Sequence, residues 1–285
     1  MGERVEVLPN GTVLFDYGPM HMFIHVSEHG RPMVELAKEG AVKAKGVLED
    51  LARFLPVIKK KVHELEIEDR YPDVVRRMIA ATREMEELDL TPLAAVAGAA
   101  SDVVADSLMD RGGTKIIVDN GGDVALRLVE NETARVGVKI DINATQPTYA
   151  LLIDESMGIG GVATSGLGGR SFTKGIASCA TLLSGNASLS DAAATVVGNA
   201  ANVEDPHIKR SFAESIYPDT DIAGDWVTVE VWELPEEKIR EALDRGLAKA
   251  YSIYQKGLIK GALVAVKGRV VWTDSLNPWL VRLWL

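Results

Sequence analysis

The sequence predicts an α/β fold in a single compact domain. The chain has 285 residues, the length of about two average domains or of one large α/β unit. Apolar residues recur with helical spacing in some segments and alternate with polar residues in others. No linker, internal repeat or low-complexity tract separates these segments, and both ends of the chain are rich in strand-like sequence. We therefore expect one domain over residues 1–285.

The first part of the chain predicts strands followed by three helices. Pro9-Asn10-Gly11 is a strong turn signal between two strand-like runs, and it predicts a hairpin. Pro56 is expected to break the first helix, while Thr91 and Pro92 suit the N-cap and first position of the third. The expected elements are strands within 5–15 and over 20–26, and helices over 32–65, 71–88 and 91–113.

The second part of the chain alternates strands and helices. Lys267-Gly268 predicts a tight hairpin between two strongly apolar runs near the C-terminus. The helix over 187–200 is unusual because it consists almost entirely of small residues. The expected elements are strands over 115–119, 123–129, 136–142, 149–153 and 161–165, a helix over 187–200, a strand over 226–232, a helix over 235–256, and strands over 262–266 and 269–272.

The composition indicates which kinds of partner the protein binds and in which cell compartment it is expected. Lys and Arg number 31 against 41 Asp and Glu, so the formal charge is −10, which argues against a nucleic-acid surface. The single cysteine, Cys179, excludes an internal disulfide and fits a reducing compartment. The first residues do not have the pattern of a signal peptide, and no run of about 18 apolar residues is present. We expect a cytoplasmic protein that binds neither nucleic acid nor membrane.

Two motifs are weak signals. His21, His25 and His29 are four residues apart, but the surrounding apolar residues alternate as in a strand, where four residues span about 13 Å. That distance is too long for two histidines to share one metal ion. The segment 158–163 matches a dinucleotide-binding pattern, yet it leads into Thr164-Ser165-Gly166 and more glycine, where that pattern requires a helix.

Three segments combine small residues with a few carboxylates, namely 94–106, 118–123 and 161–170 with its continuation 186–201. Glycine-rich loops let backbone N–H groups approach an anion, and Arg170 can supplement their charge. Asp191 and Thr195 lie at i and i+4 on one helix face, where a carboxylate and a hydroxyl suit Mg²⁺. The alternative for Asp191 is a role as a cap at the start of its own helix.

At these segments the chain resembles the ApbE-like superfamily of FAD:protein FMN transferases, and it is closer still to a divergent branch related to those enzymes. The family has, in order, a G-G-I-A-K-G-x-x-x-D helix, an N-x-G-G-D turn, an A-x-x-T-S-G loop and a helix with A-D-A-L-A-T-A. Order and spacing match over about residues 90–200. The corresponding segments here are Ala97–Asp106, Asp119–Asp123, Ala163–Gly166 and Asp191–Thr195.

The resemblance implies a T-fold-like α+β domain, with mixed or antiparallel sheets and packed helices, that binds FAD or a related nucleotide with Mg²⁺. In the family's reaction, FMN is transferred from FAD to a threonine of a partner protein and AMP is released. By position, Asp191 and Thr195 would bind the metal, with a backbone carbonyl near Ala97 or Gly98. The expected cofactor-binding residues are Gly98, Asn120, Gly121, Gly122, Asp123, Thr164, Ser165, Gly166 and Arg170.

The chain departs from the family at positions that bear on catalysis. The family's lysine falls on Ser101, and the glycine after it falls on Asp102, which brings negative charge to a place where an anion would bind. No histidine lies between Gly166 and Asp191, so the usual general acid or base is missing. The hypotheses are an Mg²⁺-dependent flavin or nucleotidyl transferase, a flavin- or metabolite-binding protein without transfer, or an enzyme with an unrelated substrate on the same fold.

The C-terminal segment leaves the oligomeric state open. Its apolar side chains are unusual for a free terminus, which is commonly polar and frayed. They either pack on the protein's own core or form a contact in a homodimer. The residues concerned are Trp279, Leu280, Val281, Leu283, Trp284 and Leu285.

Overall fold

The computed structural model describes residues 2–109 and 111–283. The strands are β1 Arg4–Val7, β2 Val13–Tyr17, β3 Met20–Glu28, β4 Arg31–Pro32, β5 Lys115–Asn120, β6 Val124–Leu128, β7 Thr133–Val138, β8 Tyr149–Asp154, β9 Gly161–Ser165, β10 Cys179–Ser184, β11 Ile208–Phe212, β12 Trp226–Val231, β13 Gly261–Val266, β14 Arg269–Trp272 and β15 Leu280–Arg282. The helices are α1 Val34–Arg53, α2 Leu55–Ile58, α3 Asp73–Arg83, α4 Val96–Met109, α5 Ala187–Ala200, α6 Ala213–Ile216 and α7 Glu236–Gln255. The predicted α/β class, with antiparallel sheets and packed helices, is confirmed.

The chain forms two compact units. Unit 1 comprises residues 1–134, 153–163 and 183–191. Unit 2 comprises residues 135–152, 164–182 and 192–285. Compact units of this kind also occur within one domain, so the expected single domain stays a prediction.

Unit 1 is built on a sheet in the order β1-β2-β3-β5-β6-β9, with β4 paired to β3. One row across it aligns Val13 with Ile24, then Val118, Ala125 and Gly161. Residues aligned in this way point to the same face of a sheet, and the four with side chains are fully buried. Helices α1 and α4 pack against this sheet and complete the core of the unit.

Strand β3 and helix α1 follow the predicted periodicity. Buried apolar residues alternate along β3 with partly exposed His21 and His25, which confirms the strand. Helix α1 ends at Arg53, and Pro56 lies in the first turn of α2, so the predicted break is confirmed. The buried residues of α1 form one helical face and are Leu36, Ala37, Gly40, Ala41, Ala44, Val47 and Leu51.

Unit 2 contains the neighbouring strands β10, β13 and β14, the three-stranded sheet β15-β8-β7 and the two-stranded ribbon β11-β12. Helix α7 packs on β13 and β14. The turn between these strands has Lys267 and Gly268 at positive φ (48° and 77°), which fits the predicted two-residue hairpin. Cys179 is fully buried on β10, and burial raises its pKa to about 11, so its thiol is an unreactive part of the core.

Some elements differ from the sequence predictions. Strand β7 begins and ends several residues before the predicted 136–142. Strands β10 and β11 are not predicted, because the first is buried on both faces and the second is mostly polar, so neither alternates clearly. The predicted helix over 91–113 starts as a short 3₁₀ turn over Pro92–Ala95. Thr91 is at the N-cap of this turn and Pro92 is in its first positions, as predicted, but the Thr91 side chain makes no capping hydrogen bond.

One segment in the described residues is long and apolar enough by composition to cross a membrane. It covers Pro92–Met109, and 61% of it is buried inside the protein. Burial of this extent is usual for a helix in a protein core, and α4 packs against α1, β5 and β6.

The C-terminal segment up to Leu283 packs within unit 2. Strand β15 pairs antiparallel with β8, aligning Leu280 with Leu151 and Val281 with Ala150. The Leu152 N–H also donates to the Trp279 carbonyl at 2.9 Å. Trp284 and Leu285 lie outside the described residues, and the alternative of a homodimer contact stays a prediction.

Candidate functional site

The first turns of α4 and α5 approach each other closely in unit 1. A Cβ atom on Gly98 would lie 2.2 Å from the Ala187 carbonyl oxygen and 2.9 Å from the Asp191 Cβ atom. Only glycine allows this approach without a shift of the backbone. The small-residue face around Gly98 therefore admits another helix backbone, and the predicted cofactor contact of Gly98 stays a prediction.

Asp191 caps the N-terminus of α4 from across this contact. Its Oδ2 accepts a hydrogen bond from the Gly98 N–H at 2.9 Å, and the Ala97 N–H also donates to its carboxylate. These amides belong to the first turn of α4, where backbone donors have no partner inside the helix. Burial raises the pKa of Asp191 to about 7, although the two backbone hydrogen bonds lower it. The sequence alternative was that Asp191 caps α5, its own helix; in the structure its carboxylate caps α4.

Asp102 caps α5 in the reverse direction. This residue lies on α4 and is fully buried. Its Oδ1 accepts from the Ala187 N–H at 3.0 Å, and its Oδ2 accepts from the Ser188 N–H at 2.8 Å and the Ser188 hydroxyl at 2.9 Å. Each helix therefore provides the carboxylate that satisfies the first amides of the other. The Asp102 carboxylate is thus the anion bound by the first amides of α5.

Arg127 pairs with Asp102, the buried carboxylate that caps α5. It extends from β6 and donates to Asp102 Oδ1 at 2.9 Å, Asp106 Oδ1 at 2.6 Å and the Gly160 carbonyl at 3.0 Å. Asp106 also accepts from Arg77 at 2.6 Å. Burial alone would raise the pKa of Asp106, but the two arginines together lower it. We call Arg77, Asp102, Asp106 and Arg127 the ion cluster.

The predicted turn Asn120–Asp123 begins at the last residue of β5 and bends sharply. Gly121 and Gly122 have φ values of +75° and +105°, a region that glycine adopts without strain. The Gly122 N–H donates to Asp119 Oδ1 at 2.8 Å, and the buried Ser101 hydroxyl donates to the Asp123 carbonyl at 2.8 Å. Helix α4 and the turn are thereby joined, and Gly121 is exposed at the tip of the turn.

The remaining predicted binding residues belong to unit 2. The exposed Thr164 shares a 2.8 Å hydrogen bond with the Thr181 hydroxyl, and Ser165 is partly exposed. Gly166 has a φ of +157°, and a Cβ atom there would lie 2.7 Å from the Ser178 carbonyl oxygen. The Leu167 N–H donates to the Ala177 carbonyl, and the Gly169 N–H donates to the Gly166 carbonyl. Because these two amides are already hydrogen-bonded, an anion beside the exposed Arg170 would have to bind other backbone N–H groups.

The residues predicted to bind Mg²⁺ offer only a few oxygen ligands from side chains. Within residues 2–109 and 111–283, no group of three His, Cys, Asp or Glu side chains could hold a metal ion. Mg²⁺ is often bound by one carboxylate together with water and substrate phosphates. Asp191 is partly exposed and fits that role, and Thr195 follows one turn later on α5, also partly exposed. The carbonyls of Ala97 and Gly98 lie inside α4, where they accept intrahelical hydrogen bonds, and fit less well.

Arg127 is not predicted from the sequence, and Asp106 appears there only as the last residue of the motif segment Ala97–Asp106. A signal for them exists: Asp102 and Asp106 are four residues apart on an apolar helix, and Arg127 is the only charge in the strand VALRL. Charged side chains in buried elements need partners, so these residues could have been expected to pair.

Comparison with solved structures shows a shared fold. The flavin transferase ApbE from Vibrio cholerae matches with a TM-score of 0.51 at 13% identity, over 98% of this chain and all (100%) of that one. A point mutant of the same enzyme matches with a TM-score of 0.50 at 15% identity, over 98% of this chain and 100% of that one. Identity this low is evidence for the fold alone.

Sequence comparison identifies the family. A UPF0280 protein from Methanosarcina barkeri is 34% identical over 180 residues, which cover 63% of this chain and 69% of that protein. A UPF0280 protein from Methanococcoides burtonii is 31% identical over 180 residues, covering 63% of this chain and 73% of that one. The family model described as AbpE bacteria matches residues 5–272. The chain therefore belongs to the AbpE bacteria family, as the resemblance in its motifs implied.

Proposed function

We propose that this protein binds a phosphate-containing flavin nucleotide, with FAD as the first candidate, together with Mg²⁺. The observation that carries the proposal is the turn Asn120–Asp123, which presents an exposed left-handed glycine and is anchored to α4 through Ser101. Family membership and the fold of a flavin transferase support a flavin-related ligand. The other predicted residues, Gly98, Thr164, Ser165, Gly166 and Arg170, stay predictions.

The helix caps favour the turn as the place for the phosphates. The N-termini of helices commonly bind phosphate, but here the first amides of α4 and α5 already bind Asp191 and Asp102. A diphosphate also has to overcome a formal protein charge of −10. Mg²⁺ held by Asp191 and Thr195 would neutralise phosphate charge when bound.

Binding without transfer is favoured over transfer of FMN to a protein threonine. Where the family has lysine this chain has Ser101, which is fully buried with its hydroxyl on the Asp123 carbonyl. Asp102 is bound to Arg127 and to the start of α5. Neither residue provides a free acid or base for a reaction. FMN transfer is the second candidate, supported by the fold, and a different substrate on this fold is the third.

The ligand is tested by thermal unfolding with FAD, ADP or AMP, each with and without millimolar Mg²⁺, and with riboflavin as the phosphate-free control. We expect FAD with Mg²⁺ to raise Tm and riboflavin to have a much smaller effect. Gly121→Asp adds a negative charge at the turn and should weaken FAD binding. Gly257→Asp, at another exposed left-handed glycine, is the matched control. The absence of a shift with all three nucleotides would refute the nucleotide site.

The metal assignment is tested separately by Thr195→Val, which leaves the Asp191 cap in place. We expect the variant to need more Mg²⁺ for the same FAD-dependent rise in Tm. Thr133→Val, at an exposed threonine of β7, is the control. An unchanged Mg²⁺ dependence in Thr195→Val contradicts the assignment.

Transfer is distinguished from binding by incubating the protein with FAD, Mg²⁺ and a threonine-containing acceptor protein. Binding without transfer predicts no AMP release above the rate without acceptor. Stoichiometric AMP release with covalent flavin on the acceptor establishes the transferase.

A further inference from the structure

Unit 2 contains an open cavity of about 550 Å³ that the proposed flavin site does not use. This volume lies in the range of small-molecule sites, about 300–1,000 Å³. The lining combines two cations, an aromatic ring, an amide and one carboxylate. These residues are Lys174, Asn202, Glu204, Arg210 and Trp226.

Trp226 forms a supported aromatic wall. It starts β12 and aligns with Phe212 on β11, and the two rings stack with centroids 4.2 Å apart and a tilt of 33°. Trp226 nevertheless remains 53% exposed. A large aromatic ring that is fixed on one side and open to solvent on the other is suited to stack on a planar ligand.

Arg210 lies on the same face of the ribbon and is held in place. A β-bulge between Lys209 and Arg210 places Arg210 opposite Thr228, two residues from the pair of aromatic rings. Its guanidinium donates to Asn202 Oδ1 at 2.6 Å, to the Val203 carbonyl at 2.8 Å and to Glu204 at 2.9 Å. The Arg210 side chain is only 15% exposed, whereas that of Glu204 is 89% exposed. The Glu204 carboxylate is therefore the partner that a ligand can replace most easily.

Lys174 is fixed through its backbone and paired at its ammonium group. Its N–H donates to Asn199 Oδ1 at 2.9 Å, and the Thr228 N–H donates to the preceding carbonyl, that of Thr173, at 2.8 Å. The Lys174 Nζ atom lies 3.1 Å from Asp225 Oδ2. Both cations of the cavity are thus anchored to the ribbon that carries Trp226.

We propose that this cavity binds a planar aromatic acid. The ring stacks on Trp226, and the acid group lies at Arg210 and Lys174, taking the place of Glu204 at the guanidinium. Arg–carboxylate and Arg–phosphate contacts have the same planar geometry, so the acid is a carboxylate or a phosphate ester. A neutral aromatic compound binds much more weakly, because it has no acid group for Arg210 and Lys174. Inorganic phosphate alone also binds much more weakly, because it competes with the carboxylates that already pair with both cations and has no ring to stack on Trp226.

The test uses three ligands with the same ring: 2-naphthoate, 2-naphthyl phosphate and the uncharged 2-naphthamide. Binding is followed by NMR on the indole N–H signal of Trp226, which is identified by its loss in Trp226→Phe. We expect saturable shifts with at least one of the acids and at least about fivefold weaker binding of the amide, the factor that a loss of about 1 kcal/mol produces. The tighter of the two acids identifies the ligand class as a carboxylate or a phosphate ester.

Variants distinguish this cavity from other surfaces. Trp226→Leu, Arg210→Gln and Lys174→Gln should each weaken binding of the better acid at least fivefold, as measured by calorimetry. Glu204→Gln should strengthen binding, because it removes the competing carboxylate. Lys209→Gln, the same charge change one residue away on β11, and Trp232→Leu, at another exposed tryptophan, should leave affinity unchanged.

Three results would overturn the proposal: no saturable shift at 10 mM of either acid, equal binding of the amide, or equal losses in the control variants. Trp226→Leu and Glu204→Gln change exposed side chains, so they test the cavity even if Arg210→Gln fails to fold. The proposed flavin site includes none of these residues, so the variants of the two sites show separately whether each proposal fails.

Discussion

Charged side chains have opposite roles in two regions of this protein. In unit 1 the centre of the ion cluster is buried: the Asp102 side chain is 0% exposed and that of Arg127 17%, and Arg127 contacts two carboxylates. In unit 2 Arg210 and Lys174 line an open cavity beside an exposed tryptophan, and the Glu204 side chain is 89% exposed.

The difference lies in what replaces a lost partner. A buried ion that loses its partner has no water to take its place, so breaking a buried pair costs about 3–5 kcal/mol. In the cavity pair the exposed member is Glu204, at 89%, while Arg210 is 15% exposed. Water can take the place of an exposed carboxylate, and exposed pairs contribute about 0–1 kcal/mol. The ion cluster is therefore part of the fold, while the cations of the cavity can exchange a protein carboxylate for a ligand. Four predictions test this contrast.

Asp102→Ala is expected to have the largest effect, a loss of about 3–5 kcal/mol in the free energy of unfolding. The substitution leaves Arg127 without one carboxylate and removes the acceptor for the first amides of α5. Urea unfolding measures the loss. Arg127→Met then tests coupling, because it should cost less in the Asp102→Ala background than in the wild type. Strictly additive losses would contradict a shared cluster.

Gly98→Ala is expected to cost about 1–3 kcal/mol, as for overpacking in a core. The added Cβ atom would lie 2.2 Å from the Ala187 carbonyl oxygen, so the contact between α4 and α5 must open. Gly46→Ala is the matched control, since this exposed glycine of α1 has no atom within 4 Å of the added Cβ. It should stabilise by about 0.5–1 kcal/mol through helix propensity. A neutral Gly98→Ala would contradict the close approach.

The lowered pKa of Asp106 predicts that the ion cluster stabilises the fold less at acid pH. The pKa of Asp106 is lowered in the folded protein from the ordinary 3.8, because Arg127 and Arg77 outweigh the effect of burial. The stabilisation is therefore complete above the unfolded value and is lost as the pH falls towards the lower folded value. The difference in unfolding free energy between wild type and Asp106→Asn should shrink below about pH 4. A difference that is constant from pH 7 to pH 3 would show that the ion pairs do not contribute.

Glu204→Gln is expected to have the smallest effect on stability, within about 0.5 kcal/mol. The carboxylate is almost fully exposed, and Arg210 keeps its contacts to Asn202 and the Val203 carbonyl. Thermal unfolding at moderate salt is the measurement. A loss comparable to that of Asp102→Ala would remove the distinction between the two regions.

Local sequence predicted the elements whose signals are short-range. The hairpins at Asn10-Gly11 and Lys267-Gly268 follow from turn residues, and β3 follows from strict alternation. Strand β10 was missed because it is buried on both faces and therefore does not alternate. Residues that contact one another across long stretches of chain left weaker signals, and the contacts of Asp102 and Asp191 are of this kind.

The predicted site illustrates that limit. The sequence assigned Gly98 and Asp191 to motifs whose order matches a family, and it marked Asp102 as a departure from that family. It suggested a cofactor contact for Gly98 and a metal or capping role for Asp191. The structure has both carboxylates bound to the first amides of the opposite helix, across a separation of more than eighty residues in sequence. No local pattern specifies which helix end a carboxylate will cap.

The sequence by itself determined the α/β class, the main hairpins and helices, the acidic charge and the family. Periodicity, turn chemistry and motif order encode these properties within short windows or in a fixed succession. Only the tertiary structure decided that α4 and α5 cap each other, that Arg127 neutralises Asp102, and that Arg210 and Trp226 share one face of a ribbon. Those outcomes depend on burial and on pairing between segments that are distant in sequence. Both determine how stable a charge is in the folded protein, but neither produces a recognisable local pattern of residues.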